Sequence, residues 1–214
     1  MNTDKNYGFY AMLNRMQYIN RWGLMRNTYT ENIKEHSFDV AIIAHAIALI
    51  HNELATSDEE KVDPYKIQSY ALFHDCTEII TGDLPTPIKY KNEVIKQAYK
   101  EVEHEAAERL SSLLPDFLKD TYLELLDPEF STEQDRDVHD IVKAADRISA
   151  YTKCLMEIEG GNGEFKSAMA TVKGSIDKIE LPEVKFFMER FVPSYGLTLD
   201  ELMSAADKGE NSES

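Results

Sequence analysis

Three ionisable side chains fall where helical periodicity expects apolar ones. His36 lies on the stripe Val40, Ile43, Ile47 and Ile50, and His74 continues the stripe Ile67, Tyr70 and Ala71. Asp146 follows Val142 by one turn, with Ser149 and Ala150 ahead of it, and Asp75 adjoins His74. An imidazole or carboxylate facing a core is costly unless it is paired or binds a metal. Any one of these residues alone is satisfied by ordinary buried hydrogen bonds or an ion pair. Together, two imidazoles and two carboxylates suit a borderline first-row divalent ion and leave positions open for water and substrate.

Other residues are of types that would serve such a centre. Glu78 is four residues after His74 and three after Asp75, on their side of the helix, where a carboxylate can move a proton. Its ordinary alternative is a helix-surface acid. Arg21-Trp22 pairs a phosphate-holding guanidinium with a ring able to stack on a base or wall off a sugar. The alternative there is a helix-end arginine and a core tryptophan. Asp83 and Thr86 lie in a Pro-framed segment, where capping or turn roles are the usual ones.

These residues must be positioned by helices. Apolar spacing predicts them at about 7–20, 35–53, 63–80, 92–113, 116–127, 133–159, 163–178, 182–191 and 199–205. Capping-box patterns begin at Ser57, Ser131 and Thr198, and Pro64, Pro115 and Pro182 suit first turns. Residues 21–34 and 81–90 read as irregular, and the two prolines and glycine of the second segment argue against a helix there. The reading is one all-α domain over residues 1–206 and a polar, disordered acidic tail over 207–214. His45, His51, His104 and His139 are expected away from the metal centre; Lys153, seven residues after Asp146, could reach it, but a surface or snorkelling lysine is the expectation.

The chain has 214 residues, enough for a real core without staples. Acids outnumber bases 39 to 23, a formal charge of −16 that repels nucleic-acid backbones and anionic membranes. The longest apolar run, 40–50, is about half the ~20 residues needed to cross a bilayer. Cys76 and Cys154 are the only cysteines, so no disulfide framework is expected, and with no leader pattern a cytoplasmic location is.

The spacing His36, His74-Asp75, Asp146 resembles the H…HD…D signature of HD-domain metal-dependent phosphohydrolases. The surrounding words INRWGLMRN (19–27), TENIKEHSFDVA (30–41), FHDCTEIITGDLPTPIKY (73–90) and VKAADRISAYTKCLMEI (142–158) are similar to those of bacterial HD-domain 5′-deoxynucleotidases. The resemblance implies a single HD-domain helical bundle that is homodimeric and works with cobalt or manganese. It implies metal ligation by His36, His74, Asp75 and Asp146, and proton transfer by Glu78. It implies that Arg21 orients the phosphate and that Trp22 crowds the sugar 2′ position. Asp83, Leu84, Pro85 and Thr86 correspond to a substrate-contacting turn, with His36 and Asp75 also at the substrate. Gly23 stands where that family has a more rigid residue. The implied activity is hydrolysis of deoxyribonucleoside 5′-monophosphates. Its alternatives are an HD phosphohydrolase acting on a triphosphate, cyclic or signalling nucleotide, and a non-catalytic helical metal-binding protein.

Overall fold

The computed structural model describes residues 6–89 and 91–210. Among them there are only helices, turns and one isolated antiparallel bridge, Asn20 to Asn32. The helices are α1 (Phe9–Leu13), α2 (Ile33–Leu54), α3 (Pro64–Phe73), α4 (Glu78–Thr81), α5 (Thr86–Lys89) and α6 (Glu93–Ser111). They continue as α7 (Asp116–Leu126), α8 (Glu133–Glu159), α9 (Lys166–Ile176), α10 (Pro182–Arg190) and α11 (Leu199–Glu210). None is long and apolar enough to cross a membrane.

The centre of the bundle is α2, packed against α3 and α8. Val40, Ile43 and Ile47 of α2 meet Ile67 and Ala71 of α3 and Ile141, Ala144, Ala145 and Ile148 of α8 in one buried cluster. Each fully buried aliphatic there contributes about 1.5–3 kcal/mol. Small residues in the same cluster, Ala44 and Ala48 of α2 and Ala144 and Ala145 of α8, let helix axes approach closely. A second cluster joins Phe9, Met16, Ile33 and Cys76 to Leu110, Leu114 and Leu126, and seats the end of the α3 segment.

Local chemistry sets where α2 begins. Asn32 accepts from the Lys34 and Glu35 N–H groups, and the Glu35 carboxylate accepts from the Asn32 N–H at 3.1 Å. This reciprocal cap satisfies donors the helix leaves bare and places His36 in the first turn. Around the bridge, the Ile33 N–H donates to the Ile19 carbonyl and the Arg21 N–H to the Glu31 carbonyl, each at 2.9 Å. Arg21 is thereby tied to the entrance of α2. The α8 cap is Thr132 with Asp135, one residue later than the Ser131 pattern.

Four expectations change. The helix expected over 7–20 shortens to α1 and a 3-10 turn, Asn14–Tyr18. The one expected over 63–80 breaks at 74–77, where Cys76, Glu78 and Ile79 donate to carbonyls three residues back. The segment 81–90 holds the short helix α5, because Pro87 sits in its first turn, where no N–H is required. Finally, α11 runs to Glu210, past the start of the expected tail, while residues 211–214 lie outside the described residues.

Candidate active site

Three helices converge on one cluster. His36 of α2 is fully buried, with Nδ1 3.1 Å from Ser149 Oγ and Nε2 3.0 Å from Asp146 Oδ1, both on α8. His74 follows α3, its ring 5.3 Å from that of His36. The His74 Nδ1–H donates to the Ala71 carbonyl at 2.7 Å, so in the neutral ring Nε2 is the nitrogen able to ligate. That Nε2 is buried without a hydrogen bond. Ligand atoms of His36, His74 and Asp146 all lie within 4.8 Å of one another. Asp146 is at the mouth, its side chain 41% exposed.

Asp75 stands beside this triad. Its Oδ2 lies 3.2 Å from His74 Nε2, out of line for a hydrogen bond, and 3.6 Å from His36 Nε2. The same oxygen accepts from Arg21 Nη1 at 3.1 Å. Burial works against charge on Asp75, but His74, His36 and Arg21 outweigh it and hold the carboxyl far below its ordinary range. Burial likewise pushes Asp146 up, and the His36 contact overrides it, leaving it at about 2. Both carboxylates are therefore ionised and ready to bind a cation. An orphaned imidazole nitrogen, a second imidazole and ionised oxygens fit a divalent transition ion.

Glu78 follows the break after α3, where bonds run from residue i+3 to residue i, and it keeps the charge of Asp75 near its carboxyl. Cys76, between them, turns into the second core, its Sγ 3.6 Å from Met16 Sδ. Glu78 is 7% exposed, and its Oε2 is buried without a partner. Burial, then the charges of Asp75 and Asp83, push its carboxyl up to about 9. After α4 the chain turns at Gly82, with φ +74° and ψ 160°, a conformation open essentially to glycine. Tyr99 of α6 donates toward the Gly82 carbonyl at 3.2 Å and Thr81 Oγ1 at 3.1 Å, fixing the turn. Asp83 accepts from the Trp22 backbone, and burial raises its pKa against the pull of Arg21. Leu84 and Pro85 follow, both half-buried. Thr86 opens α5, and its side chain lies outside the described residues.

Arg21 and Trp22 come from the segment before α2. Trp22 has φ +59°, a left-handed conformation that costs a non-glycine residue about 1–3 kcal/mol. Its surroundings hold it there. The indole N–H donates to Glu31 Oε2 at 2.9 Å, the ring packs 5.4 Å from Phe165, and the Met25 N–H donates to its carbonyl at 2.8 Å. Arg21 Nε donates to the same Glu31 oxygen at 3.2 Å. Glu31 was invisible to periodicity, because it precedes the helix; only the bridge of residues 19–21 with 31–33 reveals it.

The other polar residues sort differently. His45 packs on Tyr65, and His51 bonds Glu183 at 2.8 Å. His139 contacts Asp140, and His104 lies against Asp127. Lys153 is neither at the surface nor snorkelling: it is 6% exposed and ion-paired with the fully buried Glu157, one turn on. It also donates to the Tyr29 carbonyl. Glu157 accepts from the Thr28 N–H at 2.9 Å and the Tyr29 N–H at 3.0 Å, stapling the Arg21-Trp22 segment to α8. Both cysteines are buried and free.

Bundle and cluster together have the fold of solved HD-domain phosphohydrolases. Solved structures share the fold. An HD-domain phosphohydrolase from Listeria innocua superposes with a TM-score of 0.72 at 23% identity, covering 87% of each chain. A cyanophage S-2L HD phosphohydrolase, solved with dA and one catalytic Zn2+, gives 0.60 at 19% identity, over 86% of this chain and 96% of that one. The chain belongs to the YfbR-like 5′-deoxynucleotidase family, whose model matches residues 8–195. It is 43% identical over 194 residues to the 5′-deoxynucleotidase of Cronobacter sakazakii, covering 91% of this chain and 94% of that one. The Erwinia tasmaniensis 5′-deoxynucleotidase is 44% identical, with 91% and 95% covered.

Proposed function

We propose that the chain hydrolyses deoxyribonucleoside 5′-monophosphates to deoxyribonucleoside and phosphate, using a divalent ion held by His36, His74 and Asp146, with Asp75 as a further ligand. When bound, the ion supplies Lewis acidity toward a phosphoryl oxygen and acidity to water. The mixed nitrogen and oxygen donor set suits a borderline first-row divalent ion, and the family resemblance supports cobalt or manganese as that ion. The observation that carries the reading is the contact of Arg21 with Asp75 at 3.1 Å, which sets a phosphate-binding cation directly against the cluster.

Arg21 spends Nε and Nη1 on carboxylates and turns the rest of its donor fork to phosphate oxygens. Water adds to phosphorus as the bond to the 5′ oxygen breaks. Glu78 carries the proton that this oxygen takes as it leaves. Its raised pKa keeps that proton in place for the leaving oxygen. Trp22, held by Glu31 and Phe165, walls the sugar, while Asp83, Leu84, Pro85 and Thr86 line the nucleoside side.

The cations acting on Glu78 are Arg21 and Lys89, which favours one phosphate over a triphosphate. We assign the protein to the cytoplasm, supported by its two free cysteines. A second copy of the chain is its partner, supported by the exposed stripe Phe38, Ile42 and Leu49 on α2. The experiment is phosphate release from paired deoxy and ribo mono-, di- and triphosphates, after chelation and with added divalent ions. Preference for deoxyribonucleoside monophosphates, lost on chelation and restored by cobalt or manganese, is expected. Equal release from triphosphates, or activity indifferent to chelation, refutes it.

A further inference from the structure

Glu31 receives donors from two recognition elements on a single oxygen. Oε2 accepts from Arg21 Nε at 3.2 Å and from Trp22 Nε1 at 2.9 Å. The residue is 9% exposed, and its carbonyl also accepts from the Arg21 N–H at 2.9 Å. The next residue, Asn32, caps α2 and sets the turn that carries His36. One side chain therefore stands at the junction of the phosphate-binding cation, the ring against the sugar and the first histidine of the cluster.

We propose that Glu31 is a positioning residue that couples phosphate and sugar recognition, holding the Arg21 fork and the Trp22 ring in one register. This rests on the reading of Arg21 and Trp22 given above. Arg21 has a competing partner, Asp75, on the far side. With the Glu31 charge in place the guanidinium is shared between two carboxylates. Without it the balance tips to Asp75, and the fork leaves its phosphate-facing position. The indole loses its charged acceptor in the same event, although its left-handed backbone depends on restraint from several sides. One lesion should thus weaken both selections.

Glu31→Gln keeps the shape and removes the charge. Trp22 is the only tryptophan in the chain, so its fluorescence reports directly on this contact. The expected result is a KM for a deoxyribonucleoside monophosphate raised about tenfold, equivalent to losing one charge-assisted hydrogen bond. The kcat should stay within about threefold, the deoxy-over-ribo ratio should narrow, and the tryptophan emission should shift. Glu31→Asp, which retains the charge on a shorter arm, should recover part of the KM; it also carries the measurement if the Gln variant does not fold. Wild-type KM and ratio in Glu31→Gln, with Arg21→Ala or Trp22→Ala impaired, overturns the coupling and leaves the site reading intact. Recovery by Asp no better than by Gln overturns the role of the charge. Wild-type behaviour in all three of Glu31→Gln, Arg21→Ala and Trp22→Ala overturns the reading of the site itself.

Discussion

Burying the Glu78 carboxyl without a partner for Oε2 costs folding stability, and the cost can be measured. Its carboxyl ordinarily titrates near 4.5, and in the folded, metal-free chain it is pushed up to about 9 by burial and by Asp75. Here an acid has its folded pKa raised, so the sign is the reverse of a salt-bridged carboxylate. Below pH 4.5 both states are protonated and nothing is lost; as pH rises toward 9 the unfolded chain ionises while the folded one does not, and stability falls. At pH 7 the difference is about 2.5 pH units, or about 3 kcal/mol at 1.36 kcal/mol per unit. Glu78→Gln has nearly the same shape and no charge to strand, so it removes this penalty. For a chain of this size, that is a melting temperature higher by about 6–12 °C. The assay is thermal unfolding of both proteins in chelator between pH 5 and 8. The gap should open with pH at about 1.4 kcal/mol per unit. The same substitution should lower kcat by at least about a hundredfold, the contribution of a positioned proton donor. A gap that does not change with pH, or a less stable Gln variant, refutes the account of Glu78. Near-normal turnover refutes its role as proton carrier.

Other outcomes follow from the same geometry. Trp22→Ala should narrow the preference for deoxy over ribo monophosphates by about 10-fold or more, because the ring's steric exclusion of a hydroxyl is lost; an unchanged ratio on paired substrates counts against it. His51 is drawn down by burial but raised overall by its bonds to Glu183 and the Glu60 carbonyl, so it stabilises the fold as a cation. That contribution is complete below the ordinary 6.5 and disappears as pH climbs through the raised folded value. His51→Gln should therefore cost more stability at pH 5.5 than at pH 9, in melts compared at both values. With 39 acids against 23 bases around one small cationic site, oligonucleotides bearing a terminal phosphate should be processed far more slowly than mononucleotides. Comparable rates would show that the acidic surface does not screen strands.

Much of the site was legible because helical spacing is periodic. The apolar stripes of α2 and α8 continue for several turns, so an imidazole at 36 or a carboxylate at 146 stands out as a polar residue on a buried line. The break after α3 was not legible in that way. A 3-10 turn and an α-helix differ by a fraction of a residue per turn, and four residues are too few for any pattern to tell them apart. Three-residue spacing puts Glu78 on the side of Asp75 with or without that break. Lys153 and Glu157 were obscured for another reason. A charged pair one turn apart reads as solvent-facing, and only the closing of the Thr28-Tyr29 segment over it explains its burial.

By itself the sequence determined an all-α chain, the helices that carry His36 and Asp146 and the one that ends at His74, and the family words around them. Those depend on local preference and on repeats a few residues long. The tertiary structure decided which charges act on which. It drew Asp75 toward Arg21 and to the edge of the metal triad, set Glu31 between Arg21 and Trp22, and closed Glu157 over the segment that bears them. The strength of each such contact depends on distance and exclusion of water. Neither exists until helices far apart in the chain have packed.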